Sequence, residues 1–424
     1  MTSVLFIGLV VFLLAGVPIA FVLSGSSALA LAVSGDINLS IIIQRMFSGA
    51  GSFTLLAIPF FVLAGNLMSA GGISRRLVNL CNRFFGHISG GLAMVAVVTC
   101  AFFAAISGSS AATAAAVGAI IIPEMLKHKY DKNFAAATIA SSAELGVIIP
   151  PSIGLIQYGV AANQSISELF MAGFLPGIFI CVTICIAAHY LAKKQGFEPA
   201  GKATGAERVT AFKEAILALL MPFIVLGGIY SGLFTPTEAA VVAVFYGLVV
   251  GIFVYKEIKL TDLKDIFYQS VLTMSTVLLI MSASAIFGWI LTKQQVPQAV
   301  ASAFLGFSAN KYIFLLLVNV LLLIIGMFCE AGAAMVILAP LLAPVASQLG
   351  IDLIHFGIIM MSNLAIGMMT PPVGVNLYVV CDSAKVKIEG MMKYLMLYFA
   401  ILVADVLLIT YVPQISLIIP DLFK

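Results

Sequence analysis

The chain is built from long stretches that are apolar on every side, separated by short polar islands. Val4 to Val33, Phe53 to Met68 and Tyr312 to Met327 show neither the two-residue alternation of a half-buried strand nor a polar helical face. A transmembrane β-strand runs for roughly 10 residues with a polar inward side. These stretches therefore predict α-helices in lipid, where each segment must satisfy its own backbone. Full spans are predicted at about 4–33, 53–70, 133–163, 171–192, 214–232, 237–254, 267–291, 354–383 and 394–412. Two further apolar stretches, 91–126 and 312–347, are interrupted at mid-length by small or polar residues. Each reads as a re-entrant hairpin that enters and leaves on one side. The predicted fold is an all-α integral membrane protein.

Composition sets the class. Hydrophobic residues make up 62% of the 424 and charged residues 9%, against about 25% charged in a soluble domain. So little charge excludes a soluble enzyme and a disordered chain, and it argues against any nucleic-acid partner. The first apolar run is too long for a signal-peptide core and has no basic segment before it, so no cleavable leader is expected. The six cysteines are scattered, without the spacing of a metal or disulfide framework.

The few charges set the topology. With a cytoplasmic N-terminus, the inside segments hold Arg75, Arg76, Arg83, Lys127, Lys129, Lys132, Lys193, Lys194, Lys202, Arg208, Lys213, Lys256, Lys259, Lys264, Lys385, Lys387 and Lys393. The outside keeps Arg45, Lys293, Lys311 and Lys424, a split of 17 against 4 among the 21 Lys and Arg. Reading either hairpin as a full span would spoil that split. The first hairpin then opens from the cytoplasm, the second from outside, and the C-terminus is periplasmic.

The two hairpins belong to repeating units. Pro123 and Pro344 are 221 positions apart, as are Ser141 and Ser362, Gly146 and Gly367, Pro150 and Pro371, and Pro151 and Pro372. Hairpin plus broken helix, repeated in opposite orientations, is the signature of a transporter with a site at the repeat interface. The predicted organisation is an N-terminal scaffold and arm region (1–90), a first transport repeat (91–170, broken helix 133–163), linker and scaffold helices (171–290), a second repeat (291–390, broken helix 354–383) and a C-terminal helix (391–424). The polar segment from Lys193 to Lys213 reads as a cytoplasmic linker.

Candidate chemistry lies at the interruptions. Ser107-Gly108-Ser109-Ser110-Ala111-Ala112-Thr113 turns the first hairpin, bringing hydroxyls and freed carbonyls together as hard oxygen ligands for a small cation. The helix that begins there offers free N–H groups to an anion. The same small residues also suit plain helix packing. In Gly146 to Pro151 two successive prolines stop the helix and strand its last carbonyls, which lipid tolerates only at a protected polar site. Gly367 to Pro372 repeats the arrangement, with Cys329-Glu330-Ala331-Gly332 as the partner turn. Glu330 and Glu144 are intramembrane acids and so functional candidates, whereas Asp405 reads as a helix–helix anchor and Glu238 as part of a helix start. The four histidines are far apart, Ser109 has no general base nearby, and no Walker A sequence is present. The chain is not expected to be an enzyme, and transport must draw on an ion gradient.

The motifs LLAIPFFVLAGNLMSAGGIS (55–74), ISGSSAAT (106–113), IIPPSIGLIQYG (148–159), SISELFMAGFLPG (165–177), SGLFTPTEAA (231–240) and IGMMTPPVGVNLYV (366–379) carry a resemblance over nearly the whole chain. The chain resembles the large membrane (permease) subunit of tripartite ATP-independent periplasmic (TRAP) transporters, within the ion-transporter superfamily. One departure is Glu330, where Asp is the more frequent residue of the family.

The resemblance implies an elevator in which a transport domain of two hairpins and two broken helices slides against a scaffold. It implies a small four-helix membrane subunit, a periplasmic substrate-binding protein that delivers the solute, and residence in the bacterial inner membrane among its lipids. Sodium is the implied coupling ion, and the solute an organic acid such as a C4-dicarboxylate, a sialic acid or a sugar acid. Carried onto this sequence, the first sodium is expected among Ser107, Ser110, Gly146, Ile149 and Pro151, and the second near Cys329 or Glu330, Gly367, Thr370 and Pro372. The solute is expected near Ser109, Thr113, Asn363 and Gly374. A self-sufficient sodium/dicarboxylate carrier or channel without a binding protein is the alternative.

Overall fold

A computed structural model describes residues 1–35, 37–197, 201–307 and 310–423, leaving Lys424 and part of the linker outside the described residues. Every regular element among them is helical. Eight helices are long and apolar enough to cross a membrane, or nine if the bent pair Lys132–Ile148 and Ile153–Ala161, which meet at 42°, forms one span.

The first hairpin is Gly91–Ser107 and Ser110–Lys127, packed side by side. It turns where Gly108 takes the left-handed conformation (φ +63°) that a helix end favours and only glycine adopts freely. The second hairpin is Lys311–Gly326 and Ala331–Gln348. Its arms are splayed, with the first lying mainly on Leu353–Met368. Boundaries recur at one interval: Ser110 to Ala331 and Lys127 to Gln348 are each 221 positions, and so is Lys132 to Leu353. The caps follow. Asp131 accepts from the N–H groups of Asn133 and Phe134, and Asp352 from those of Ile354 and His355. Each carboxylate satisfies amides that a helix start leaves unpaired.

The expected span 4–33 is corrected to two short helices, Thr2–Leu14 and Ile19–Ser34. Gly16 (φ +73°) ends the first, and Pro18, which has no N–H to offer the preceding turn, stands at the start of the second. They pack antiparallel, since a Cβ on Gly8 would meet Leu29 and Ser26 at 3.4 Å and one on Gly25 would meet Phe12 at 3.1 Å. The start of the chain returns to the end it would have left by crossing. Gln294 Nε2 lies 3.4 Å from Met1 Sδ, and Trp289 receives both Arg45 and Lys293 over its ring. Met1 therefore shares an end of the molecule with Arg45 and Lys293, which corrects the expectation that it lies opposite them.

Other contacts keep the expected grouping. Arg75 and Arg76 both pair with Glu257, at 2.6 and 2.7 Å, and Arg83 pairs with Glu207 at 3.2 Å. At the other end, Thr237 Oγ1 donates to the Phe53 carbonyl, and the Phe423 ring sits 6.1 Å from that of Tyr230. The linker is shorter than predicted, because Ile166–Lys194 runs into it and a Thr204–Glu207 capping box starts Gly205–Tyr230. Four helices were not foreseen: Ser40–Ala50, Ile73–Phe85, Val296–Phe307 and Gln414–Leu422. All are short, and none forms an uninterrupted apolar run of spanning length.

Candidate functional site

A cavity of about 890 Å³ lies where the two hairpin tips come together. Ser107 to Ala112 of the first tip and Phe328 to Glu330, Gly332 and Ala333 of the second line it. Asn66, then Gln269, Thr273 and Thr276 of Leu263–Lys293, also line it. Leu13 and Ile19, at the turn of the N-terminal helix pair, complete the wall.

The first tip is a knot of oxygen atoms. Ser107 Oγ lies 3.0 Å from Thr113 Oγ1, which donates to the Ser109 carbonyl across 2.8 Å. The broken helix presses against this knot. A Cβ on Gly146 would stand 2.6 Å from Ser109 O and 2.7 Å from Thr113 Oγ1, and one on Gly108 would stand 2.8 Å from Pro151 O. Glycine at both positions lets carbonyls of the broken helix and hydroxyls of the hairpin share one small volume. The Ile153 N–H closes the arrangement by donating to Gly108 O at 3.3 Å. Ser107, Gly146 and Pro151 thus meet around Thr113, Ser109 and Gly108, whereas Ser110 reaches across to Asn376 and Ile149 lies against Gly177 of Ile166–Lys194.

The second tip is built alike in backbone and differently in side chains. The Gly374 N–H donates to Met327 O at 3.2 Å, and a Cβ on Gly367 would meet the Gly326 Cα at 2.5 Å. Thr370 Oγ1 donates to Ile366 O at 2.8 Å. The N-caps of the two hairpin helices stand at matching positions: Ser109 accepts from the Ala112 N–H at 3.4 Å and Glu330 from the Ala333 N–H at 3.0 Å. A neutral hydroxyl answers one helix start and a carboxylate the other.

Residues placed near the solute by sequence are divided by the structure. Ser109 lines the cavity, as do Cys329 and Glu330 of the second cation set. Thr113 is turned into the first tip, and the Gly374 N–H is turned to Met327 O at the second. Asn363 is fully buried away from the cavity, where its Nδ2 donates to Asn319 Oδ1 at 2.6 Å and to Ile359 O at 2.8 Å. Asp405 is held by Thr183, and Glu238 forms a capping box with Thr235, so both are structural.

Three polar residues were missed. Asn376 accepts from Ser110 Oγ at 3.4 Å and donates to Glu144 Oε1 at 2.7 Å, Asn66 donates to Ser270 Oγ at 2.8 Å, and Gln157 lines the cavity. Each is a lone amide inside an apolar helix, a signal as available in the sequence as the serines and prolines.

The family pattern described as "Tripartite ATP-independent periplasmic transporter, DctM component" matches residues 6–415. An isethionate TRAP transporter permease, DctMQ of Oleidesulfovibrio alaskensis, is 45% identical over 98% of this chain; the match spans 65% of that longer protein. The sialic acid TRAP transporter large permease SiaM of Vibrio cholerae is 39% identical, over 97% of this chain and 96% of the relative. The C4-dicarboxylate large permease DctM of Rhodobacter capsulatus is 37% identical, over 100% and 99%. Among solved structures, the Alcanivorax borkumensis YdaH transporter matches with a TM-score of 0.63 at 18% identity, covering 87% of this chain and 86% of that one. That likeness shows a shared fold.

Proposed function

The chain belongs to the DctM component family of tripartite ATP-independent periplasmic transporters, and from that premise we propose that it is the large permease of a sodium-coupled system taking up a carboxylated solute. The family and the relatives are transporters, not enzymes. A periplasmic binding protein would deliver the solute, and a small membrane subunit would extend the scaffold.

The observation that carries the proposal is the meeting of two hairpin tips at one cavity, each tip backed by a glycine of a broken helix. Oxygen ligands for one cation would come from Ser107, Ser110 and the carbonyls of Gly146, Ile149 and Pro151. By the same 221-residue offset, those for the other would come from Cys329 or Glu330, Gly367, Thr370 and Pro372. Apart from the Glu330 carboxylate these are neutral hydroxyls and carbonyls, which bind a hard monovalent ion weakly enough to release it. Two sodium ions moving inward at 100 mV supply about 4.6 kcal/mol from the potential alone, less the work of carrying the solute's own charge. The 221-residue recurrence of helix ends and caps supports an inverted repeat, and with it an elevator in which the tips carry the site past a fixed scaffold.

The proposed orientation keeps the charge split and moves the N-terminus outside. Residues 1–16 hold no Lys or Arg, so the 17-to-4 division is unchanged.

Uptake by proteoliposomes holding the whole complex tests the coupling. Accumulation should require a sodium gradient, and undiminished accumulation with neither gradient nor potential sinks the proposal.

A further inference from the structure

The 221-residue interval runs through the scaffold as well as the hairpins. Ser40–Ala50 with Ala57–Ala70 matches Leu263–Lys293, and Ile73–Phe85 matches Val296–Phe307, the ends agreeing to within two residues. The packing follows. Ala57–Ala70 lies on Pro236–Val249, and its counterpart Leu263–Lys293 lies on Ile19–Ser34. Scaffold, hairpin and broken helix therefore form one repeated unit, and a contact made in one copy points to its counterpart in the other.

At the cavity the two copies are packed differently. Ala333, Ile337 and Leu341 of the second hairpin share a buried cluster with Ala283, Ile286 and Phe287, in the half of Leu263–Lys293 nearer Lys293. The counterparts stand apart: Ala112 of the first hairpin and Val62, Gly65 and Asn66 all line the cavity. Ile153–Ala161 of the first broken helix packs on Phe53–Leu56, where Leu55 is 1% exposed. The counterpart of Leu55 is Thr276, which lines the cavity with Gln269 and Thr273, as does Val375 at the start of Val375–Ala384. Both closed contacts lie toward the Lys293 end. Both open ones lie toward the end where Glu257 pairs with Arg75 and Arg76. Opening one set while closing the other trades one buried face for an equivalent one, so the two packings differ little in free energy, as alternate states of one protein must.

Resting on the reading of this chain as an inverted-repeat transporter, we infer that its opposite-facing state is the same structure with the packings of the two repeats exchanged. Ala112, Ala116 and Ile120 then seat on Val62, Gly65 and Asn66 and close the Glu257 end. Asn66 carries its partner Ser270 into that contact. Ile153–Ala161 leaves Phe53–Leu56, and Ser48, Ser52 and Leu55 take the places of Gln269, Thr273 and Thr276. Ser48 and Ser52 are the scaffold hydroxyls that face the solute in that state.

The test uses the intact permease complex in lipid nanodiscs, where both faces are open to reagents, in a cysteine-free background. A short bifunctional thiol reagent should cross-link Ala283→Cys with Ile337→Cys in the present packing, and Val62→Cys with Ala116→Cys in the exchanged one. With the first link in place, a hydrophilic maleimide should label Thr276→Cys and spare Leu55→Cys. With the second in place the two reactivities should exchange, and Ser52→Cys should react along with Leu55→Cys. If the Val62 and Ala116 pair fails to fold, Asn66→Cys with Ala112→Cys takes its place with the same readout. No cross-link from either of these pairs, or a link that forms and leaves Leu55→Cys unreactive, overturns the inference. None of these readouts uses solute or sodium. Uptake that proves independent of sodium therefore overturns the coupling and leaves the exchange standing.

Discussion

Asn376 and Glu144, 232 positions apart, are joined by a 2.7 Å hydrogen bond from amide to carboxylate. Asn376 also accepts from Ser110, so one side chain ties the first hairpin and the first broken helix to the second broken helix. The amide nitrogen donates to the Glu144 carboxyl group, which turns the amide oxygen toward Ser110. That in turn draws the Ser110 hydrogen away and leaves its lone pairs open to the proposed cation.

Replacing Asn376 by Leu removes the partner of a fully buried carboxyl group. The expected cost is about 1–3 kcal/mol of stability, measured as a fall in the unfolding midpoint of the purified protein. Sodium affinity should fall with it, because Ser110 loses its orientation. An unchanged midpoint would show that the bond is incidental.

Ser110→Ala and Thr370→Ala each remove one oxygen from a proposed cation set. Both should raise the half-saturating sodium concentration for uptake by about an order of magnitude, the worth of one polar contact to a charge, with the maximal rate largely kept. Wild-type sodium dependence in both variants refutes the assignment.

Gly146→Ala pushes a methyl group to 2.6 Å from Ser109 O, where backbone cannot give way cheaply. Uptake should be lost even where the protein still inserts. Gly227→Ala is the control. Nothing stands within 4 Å of its Cβ, it lies inside the helix Gly205–Tyr230, and alanine there should be neutral or stabilising by up to about 1 kcal/mol.

Thr2→Cys and Lys293→Cys, each in a cysteine-free background, should react with a membrane-impermeant maleimide from the same side. Lys193→Cys should be protected from that side and exposed on the other. Opposite labelling of the first two would restore the single crossing over 4–33.

Much of this architecture was legible in residue order because lipid makes uniform demands. An apolar run of spanning length has to be a helix, and prolines at 150, 151, 371 and 372 have to break one. The N-terminal pair was not legible in the same way. Gly16 and Pro18 interrupt an apolar run without adding polarity, so hydropathy passed over a reversal that backbone geometry records. At the site, the serines of the first tip announced themselves by clustering. Asn376 and Gln157 stood alone among apolar neighbours, and their places at the cavity come from segments distant in sequence. Asn363 shows the converse. It sits beside a motif serine, yet its amide is spent on Asn319.

The N-terminal pair, 13 and 16 residues long, measures about 20 and 24 Å along its helices, short of the roughly 30 Å of hydrocarbon. Its base lies beside Gln294 and its turn ends at the cavity wall. The pair therefore stops short of a full crossing and leaves the remaining depth to lipid beneath it. Acyl chains fill the depth that the pair leaves open and form the floor on which that wedge rests.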